Sequence, residues 1–290
     1  MRLPTFFIVG APKAGTTSLA RYLGQHPDVF MSPHKEPHFF TYQGDGWPTW
    51  ATKTLEEYGA LFAGAGSAKE VGEASTWYLY SPTAAERIQS LLPEARILIL
   101  LRSPADRAYS SWSFNVQNSW EPILDFEEAL EAEEKRRAEP GFWDRHYFHA
   151  GLYAEQVKRY LERFGRDRVL VHLFEDLRTA PDRVMRSSFE FLQVDPSFDP
   201  ALGVQHNQTE FPRFKELNRF LRKSKHVRQV VRMLLPETIR RPLRQGLQRA
   251  NRGKRPPLSE TARTRLNAAY REDVERLSAL LERDVTQIWF

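Results

Sequence analysis

The chain has 290 residues, of which 41% are apolar and 27% charged, the composition of an ordinary soluble globular protein. Collagenous, low-complexity and wholly disordered readings are excluded, and the length suits one large α/β domain or two small ones. The absence of cysteine removes disulfide frameworks, Cys-ligated zinc, iron–sulfur clusters and a cysteine nucleophile together. The net charge of +5 is unevenly spread: residues 213–255 carry fifteen Lys or Arg against Glu216 and Glu237, a local balance of +13, which leaves −8 on the remainder. A mildly acidic body with one basic segment points to an anionic partner near that segment.

In chain order, Phe6-Phe7-Ile8-Val9 reads as a strand buried on both faces. It enters Gly10-Ala11-Pro12-Lys13-Ala14-Gly15, after which Thr16 and Thr17 open a helix to about His26 with Leu19, Tyr22 and Leu23 on one face. Strands are predicted at 71–74, 95–101 and 169–174. Helices are predicted at about 54–63, 82–92, 104–118, 125–138, 151–164, 181–192 and 259–283. This alternation predicts an α/β fold with a P-loop-like, doubly wound central parallel sheet flanked by helices. The longest apolar runs, 6–9 and 97–101, are far below the ~20 residues of a membrane span. With no room for a secretory leader before the first strand, a soluble, cytoplasmic protein is expected. One domain over 1–290 is the simplest organisation, with 213–257 a basic helical insertion or lid that ends in a mobile linker at 246–257.

Backbone amides at a helix N-terminus, approached closely beside glycine, form a phosphate cradle. Gly10 and Gly15 have the separation of a P-loop, but Thr16 stands where its lysine belongs, and the lysine is Lys13, inside the loop. Its ammonium would approach a phosphate chain from the side of the departing group. In a P-loop NTPase a later buried strand ends in an aspartate that handles Mg²⁺. Here the strand ends in Arg102, followed by Ser103-Pro104 and a helix carrying Arg107, Ser110 and Ser111. A cation with hydroxyls suits a second anion rather than a metal. The segment His34-Lys35-Glu36-Pro37-His38 has the spacing of a zinc pair, but Pro37 keeps both histidines off one regular helical face, so zinc is rejected.

Taken together, these two sites resemble sulfotransferases that use 3′-phosphoadenosine 5′-phosphosulfate. Pro12-Lys13-Ala14-Gly15-Thr16-Thr17-Ser18-Leu19 resembles the family's 5′-phosphosulfate loop, and Leu101-Arg102-Ser103-Pro104-Ala105-Asp106-Arg107-Ala108-Tyr109-Ser110 its 3′-phosphate motif. His26-Pro27-Asp28-Val29, Lys35-Glu36-Pro37-His38-Phe39-Phe40 and Gly151-Leu152-Tyr153 extend the similarity over most of the chain, nearer the heparan sulfate and bacterial carbohydrate or lipid branch. The resemblance implies that Lys13 is catalytic and, with Ala14, Gly15, Thr16, Thr17 and Ser18, binds the 5′ side, while Arg102 and Ser110 hold the 3′-phosphate. It places the base on Glu36, with His38 orienting it or contacting the acceptor. The reverse assignment, His38 as base oriented by Glu36, stays open. Phe39 and Phe40 are expected to desolvate the carboxylate. Tyr153 is either a nucleotide contact or a core residue, and Arg213 is placed in the loop over the adenine and 3′-phosphate.

The expected reaction moves a sulfuryl group to a hydroxyl or amine of a carbohydrate, lipid or secondary-metabolite acceptor and releases adenosine 3′,5′-bisphosphate. A sulfuryl group carries less negative charge than a phosphoryl group, so no metal is expected if a cation meets the bridging oxygen. Heparan enzymes carry a lysine in a Glu-Lys-Thr-Pro-x-Tyr stretch, where this chain has Glu73-Ala74-Ser75-Thr76-Trp77-Tyr78. Ala74 in its place argues against a long polyanionic acceptor. The basic amphipathic segment 213–255 is compatible with a lid, with solvated arginines around packed helices, or with peripheral membrane contact, and no nucleic-acid partner is expected. Two rivals remain: a P-loop kinase with a shifted lysine, and a non-enzymatic basic protein that binds nucleic acid or membrane.

Overall fold

The computed structural model describes residues 2–41, 51–138, 143–202, 210–212, 252–254 and 256–290. Five parallel strands form one sheet: β1 (Phe6–Gly10), β2 (Val29–Met31), β3 (Glu70–Ala74), β4 (Arg96–Leu101) and β5 (Val169–Leu173), in the order β2-β3-β1-β4-β5. Every residue of β1 and β3 is buried, as are five of the six in β4; β1 and β4 accordingly read as apolar runs, whereas β3 carries Glu70 and Glu73 into the buried sheet. β1 and β4 take the predicted positions, and β3 covers the predicted 71–74. The strand expected at 169–174 ends one residue early, because Phe174 opens a helix. β2 has only three residues, too few to show a period.

The helices, in chain order, are α1 (Thr16–Leu23), α2 (Leu55–Ala60), α3 (Ala84–Leu91), α4 (Pro104–Gln117), α5 (Phe126–Glu131), α6 (Glu133–Arg137), α7 (Tyr153–Phe164), α8 (Phe174–Thr179), α9 (Pro181–Phe191), α10 (Glu260–Leu281) and α11 (Thr286–Trp289). Each predicted helix is present. The one expected over 125–138 is divided at Ala132, and α8 and α11 were not foreseen.

Two compact units emerge. The first comprises Met1–Arg107, Phe148–His206 and Thr264–Phe290, and the second Ala108–Tyr147 with Asn207–Arg263. In the first, α1 lays Leu19 and Leu23 into the core, and α7 buries Val157, Tyr160 and Phe164. No side chain of its own caps α7. Asp273 of α10 does so instead, its Oδ2 accepting from the amides of Tyr153 at 2.6 Å and Ala154 at 3.2 Å. Gly151 is required just before that helix, since a Cβ there would lie 2.8 Å from the Tyr270 hydroxyl.

In the second unit the buried Glu121 accepts both Arg136 nitrogens, at 2.7 and 3.0 Å, and the Tyr147 hydroxyl at 2.8 Å. Asp125 caps α5 through the amides of Glu127 and Glu128. Residues 252–254, expected within a mobile linker, instead form a short strand β7 (Arg252–Lys254), antiparallel to β6 (Glu210–Pro212). A backbone ladder needs no side-chain periodicity, so neither strand had a legible signal. Most of the basic segment, and Arg213 with it, lies outside the described residues.

Candidate functional site

β1 and β4 are neighbours, and the chain fills one side of β1 with β2 and β3 before crossing to β4 on the other. Ligands of open parallel sheets bind at the carboxyl ends of the strands where the order switches in this way. The loop after β1 is held there by the Ala11 amide, which donates to the Leu100 carbonyl at 2.7 Å. Ala14 and Thr16 are buried, whereas Lys13, Gly15, Thr17 and Ser18 are partly exposed. Gly15 is the N-cap of α1 at φ 95°, and no side chain caps that helix. Its first-turn amides therefore have no partner supplied by an N-cap side chain, the arrangement that favours an anion. A Cβ on Gly15 would stand 2.9 Å from the Phe174 ring, so glycine is needed for both space and backbone.

Arg102 follows β4. Its guanidinium donates to the Lys13 carbonyl at 3.3 Å and lies over the Phe174 ring at 4.9 Å from the centroid. The two predicted cations are thus brought to one crevice by adjacent strands, and Phe174 supports both loops. Tyr153 is fully buried, and its hydroxyl donates to the Arg102 carbonyl at 3.0 Å. Burial pushes its phenol above the ordinary tyrosine range, so it remains a neutral donor. That bond ties the Tyr153 side chain to the backbone that carries Arg102. Ser110 and Ser111 are buried on α4, in the second unit.

On the acceptor side, the Glu36 amide donates to the Ala74 carbonyl at 2.9 Å, which lays the 32–38 segment across the end of β3. The carboxylate accepts from the Thr76 amide at 2.8 Å on Oε2, and on Oε1 from the Thr76 hydroxyl and the Lys35 ammonium, both at 3.0 Å. Thr76 and Lys35 were not singled out beforehand; the only available signal was that Thr76 lies in the stretch matched to the heparan enzymes. His38 Nε2 approaches Glu36 Oε2 to 3.8 Å. The imidazole is 6% exposed, and its buried Nδ1 has no hydrogen-bond partner. Burial holds His38 below its ordinary range, opposed in part by the Glu36 charge, so it is neutral at physiological pH.

Lys13, Glu36 and His38 have φ of 69°, 60° and 56°. The left-handed region is uncommon for residues with a Cβ and gathers at functional sites. Glu36 adopts it immediately before Pro37, whose ring already restricts the preceding residue. Only three other non-glycine residues do so among the described ones: Ser119, Gln193 and Glu282.

Glu36 is partly shielded, its side chain 26% exposed. Phe40 packs inward against Phe7, Tyr58 and Tyr78, and Phe39 stacks on Tyr58 at 4.4 Å. The glutamate with the aromatic surroundings is Glu73, which is 0% exposed between the Tyr58 and Tyr78 hydroxyls. Both rings belong to the 3₁₀ turn Phe39–Thr41, whose packing against Tyr58 residue order does not reveal. Among the described residues no group of three or more His, Asp or Glu could hold a metal ion, and no helix is long and apolar enough to cross a membrane.

A lysine loop and an arginine, delivered to neighbouring strand ends of a parallel sheet, are the arrangement by which open α/β proteins receive an anionic ligand at a topological switch point. Within that class the chain belongs to the sulfotransferase family, whose domain matches residues 3–277. A crystal structure of a sulfotransferase from Alicyclobacillus acidocaldarius superimposes with a TM-score of 0.77 at 33% identity, covering 100% of this chain and 99% of that one. The chain is also similar to the membrane-associated sulfotransferase kil1 of Dictyostelium discoideum, 35% identical over 116 residues, or 40% of this chain and 24% of that protein. The mouse bifunctional heparan sulfate N-deacetylase/N-sulfotransferase 1 is 30% identical over 215 residues, 68% of this chain and 23% of that protein. This chain thus spans about a quarter of the length of these curated relatives.

Proposed function

We propose that this sulfotransferase-family chain moves the sulfuryl group of 3′-phosphoadenosine 5′-phosphosulfate to a hydroxyl or amine of a carbohydrate, lipid or secondary-metabolite acceptor. The observation that carries the reading is the meeting of Lys13 and Arg102 at one crevice, joined by the 3.3 Å hydrogen bond between them. The nucleotide supplies the activated sulfuryl group. Lys13 neutralises charge that develops on the departing bisphosphate, aided by the amides and hydroxyls of residues 14–18. Arg102 and Ser110 hold the 3′-phosphate, Tyr153 fixes Arg102 from behind, and Arg213 adds to the nucleotide side. Glu36 takes the acceptor proton, with Thr76 and Lys35 orienting its carboxylate and neutral His38 beside it. Ala74 at the end of β3 supports an acceptor other than a long polyanion, since no lysine is presented there. Contact of residues 213–255 with a membrane surface is part of the proposal for a lipid acceptor.

The test is thermal stability in EDTA with adenosine 3′,5′-bisphosphate, ADP or ATP, repeated with Mg²⁺. A ligand at ~100 times its Kd adds ~2.7 kcal/mol. Stabilisation by the bisphosphate without metal, lost in Arg102→Ala, is expected. Stabilisation by ATP only with Mg²⁺ would overturn the proposal in favour of a kinase.

A further inference from the structure

Glu73 lies near the end of β3 with a carboxyl fully shut away from solvent. Its Oε2 accepts from the Tyr58 hydroxyl at 2.7 Å and the Tyr78 hydroxyl at 3.1 Å, while Oε1 is buried with no hydrogen-bond partner. An ionised carboxyl in this setting would leave an anionic oxygen unsolvated, whereas a proton on Oε1 removes that cost. The titratable groups that face it are Tyr58 of α2, Tyr78 after β3, Tyr160 of α7 and Glu36 of the 32–38 segment. None of these is a cation.

Two connections run from this carboxyl to the acceptor side. The Tyr78 hydroxyl that donates to Glu73 also accepts from the Phe40 amide at 3.3 Å, which pins the turn directly after His38. Two residues beyond Glu73, the Ser75 hydroxyl accepts from the His38 amide at 3.2 Å, and Thr76 next to it grips Glu36. The left-handed Glu36 and His38 are therefore held from below by groups that converge on Glu73.

We infer that Glu73 is a positioning residue for Glu36 and His38: through the Tyr78 hydroxyl it anchors residues 36–41 to the end of β3, and a change in its protonation changes the pull on that anchor. The functional consequence rests on the reading of Glu36 as the acceptor-side base. Burial raises the Glu73 carboxyl to about 7, against the pull of the Ser75, Tyr58 and Tyr78 hydroxyls, and the Glu36 charge pushes it upward as well.

The experiment follows the Thr76 amide and His38 imidazole resonances of the full chain from pH 5 to 9 in the wild type, Glu73→Gln and Tyr78→Phe. Glutamine can accept from both phenols but cannot ionise. Wild type is expected to show a step near pH 7 at both resonances, distinct from the lower titration of His38 itself. In Glu73→Gln the step is lost and the resonances stay at their wild-type pH 6 positions. Tyr78→Phe, which removes the link to Phe40, displaces the His38 resonance at every pH. A step that persists in Glu73→Gln, or Tyr78→Phe resonances that coincide with wild type, would overturn the inference. Adenosine 3′,5′-bisphosphate is added to the same samples as a separate readout: if it fails to stabilise wild type, the sulfotransfer reading fails, while the pH step still decides the role of Glu73.

Discussion

Lys13, Glu36 and Arg102 lie at the carboxyl ends of the neighbouring strands β1, β3 and β4; the proposed reaction gives them separable duties, and single substitutions distinguish them. Lys13→Ala removes the cation that meets the departing group, and transfer is expected to fall roughly 10²–10³-fold. Glu36→Gln preserves most of the shape and removes the proton acceptor. A loss of about 10²–10⁴-fold is expected, with the bisphosphate-induced rise in melting temperature unchanged. Arg102→Ala gives the opposite pattern, because a hydrogen bond to a charged group contributes about 1.5–3 kcal/mol and the bisphosphate should no longer stabilise. Bisphosphate release with an alcohol acceptor, together with melting curves, checks all three. Equal loss of bisphosphate stabilisation in Glu36→Gln and Arg102→Ala would contradict the division of labour. All three side chains come from motifs contiguous in sequence, so they were legible before the fold was known. Thr76 and Lys35, which hold the Glu36 carboxylate, were not, because their contact with it depends on how the 32–38 segment lies against the end of β3.

At the scale of elements, small residues set how closely strands and loops approach. A Cβ on Gly72 of β3 would collide with Phe6 of β1 and Met31 of β2. Gly72→Ala is therefore expected to destabilise by about 1–3 kcal/mol, measured by denaturant unfolding. An unchanged midpoint would show that the sheet yields at this point. Asp273 supplies the missing cap of α7 from more than a hundred residues away in the chain. Asp273→Ala should cost about 1–2 kcal/mol and displace the Tyr153 side chain that braces Arg102. Helix positions were readable from their apolar spacing, and α7 starts two residues from its predicted limit. Its capping was unreadable, since a cap borrowed from another helix leaves no local pattern. The same holds for β2, β6 and β7, each only three residues long.

For the whole molecule, two buried groups set opposing responses to pH. Glu73 is raised from 4.5 to about 7, so its stabilising contribution is full below pH 4.5 and is lost as pH rises toward 7. His172, buried against the Ser188 hydroxyl at 2.9 Å, is lowered from 6.5 to about 4. Its contribution is present above pH 6.5 and is lost as pH falls toward 4. Each is worth roughly 3 kcal/mol over its range, so they largely cancel between pH 4.5 and 6.5. Removing one unmasks the other. Glu73→Gln should melt close to wild type at pH 5 and above it at pH 8. A gap that does not widen with pH would show that Glu73 titrates normally.

Residue order alone settled the parallel α/β class, the phosphate loop, the arginine after β4 and the family they define. These are local signals: continuous apolar runs, a glycine spacing, and a cation directly following a strand. Which glutamate would be shut away from water was a matter for the packed chain. Phe39 and Phe40 follow Glu36 in sequence, yet the turn they occupy directs Phe40 into the core beside Tyr58, Tyr78 and Glu73. Burial and hydrogen-bond satisfaction depend on what arrives from elsewhere in the chain. The neutral support beneath the acceptor side therefore came into view only once β3, α2 and the 32–41 segment were seen folded against one another.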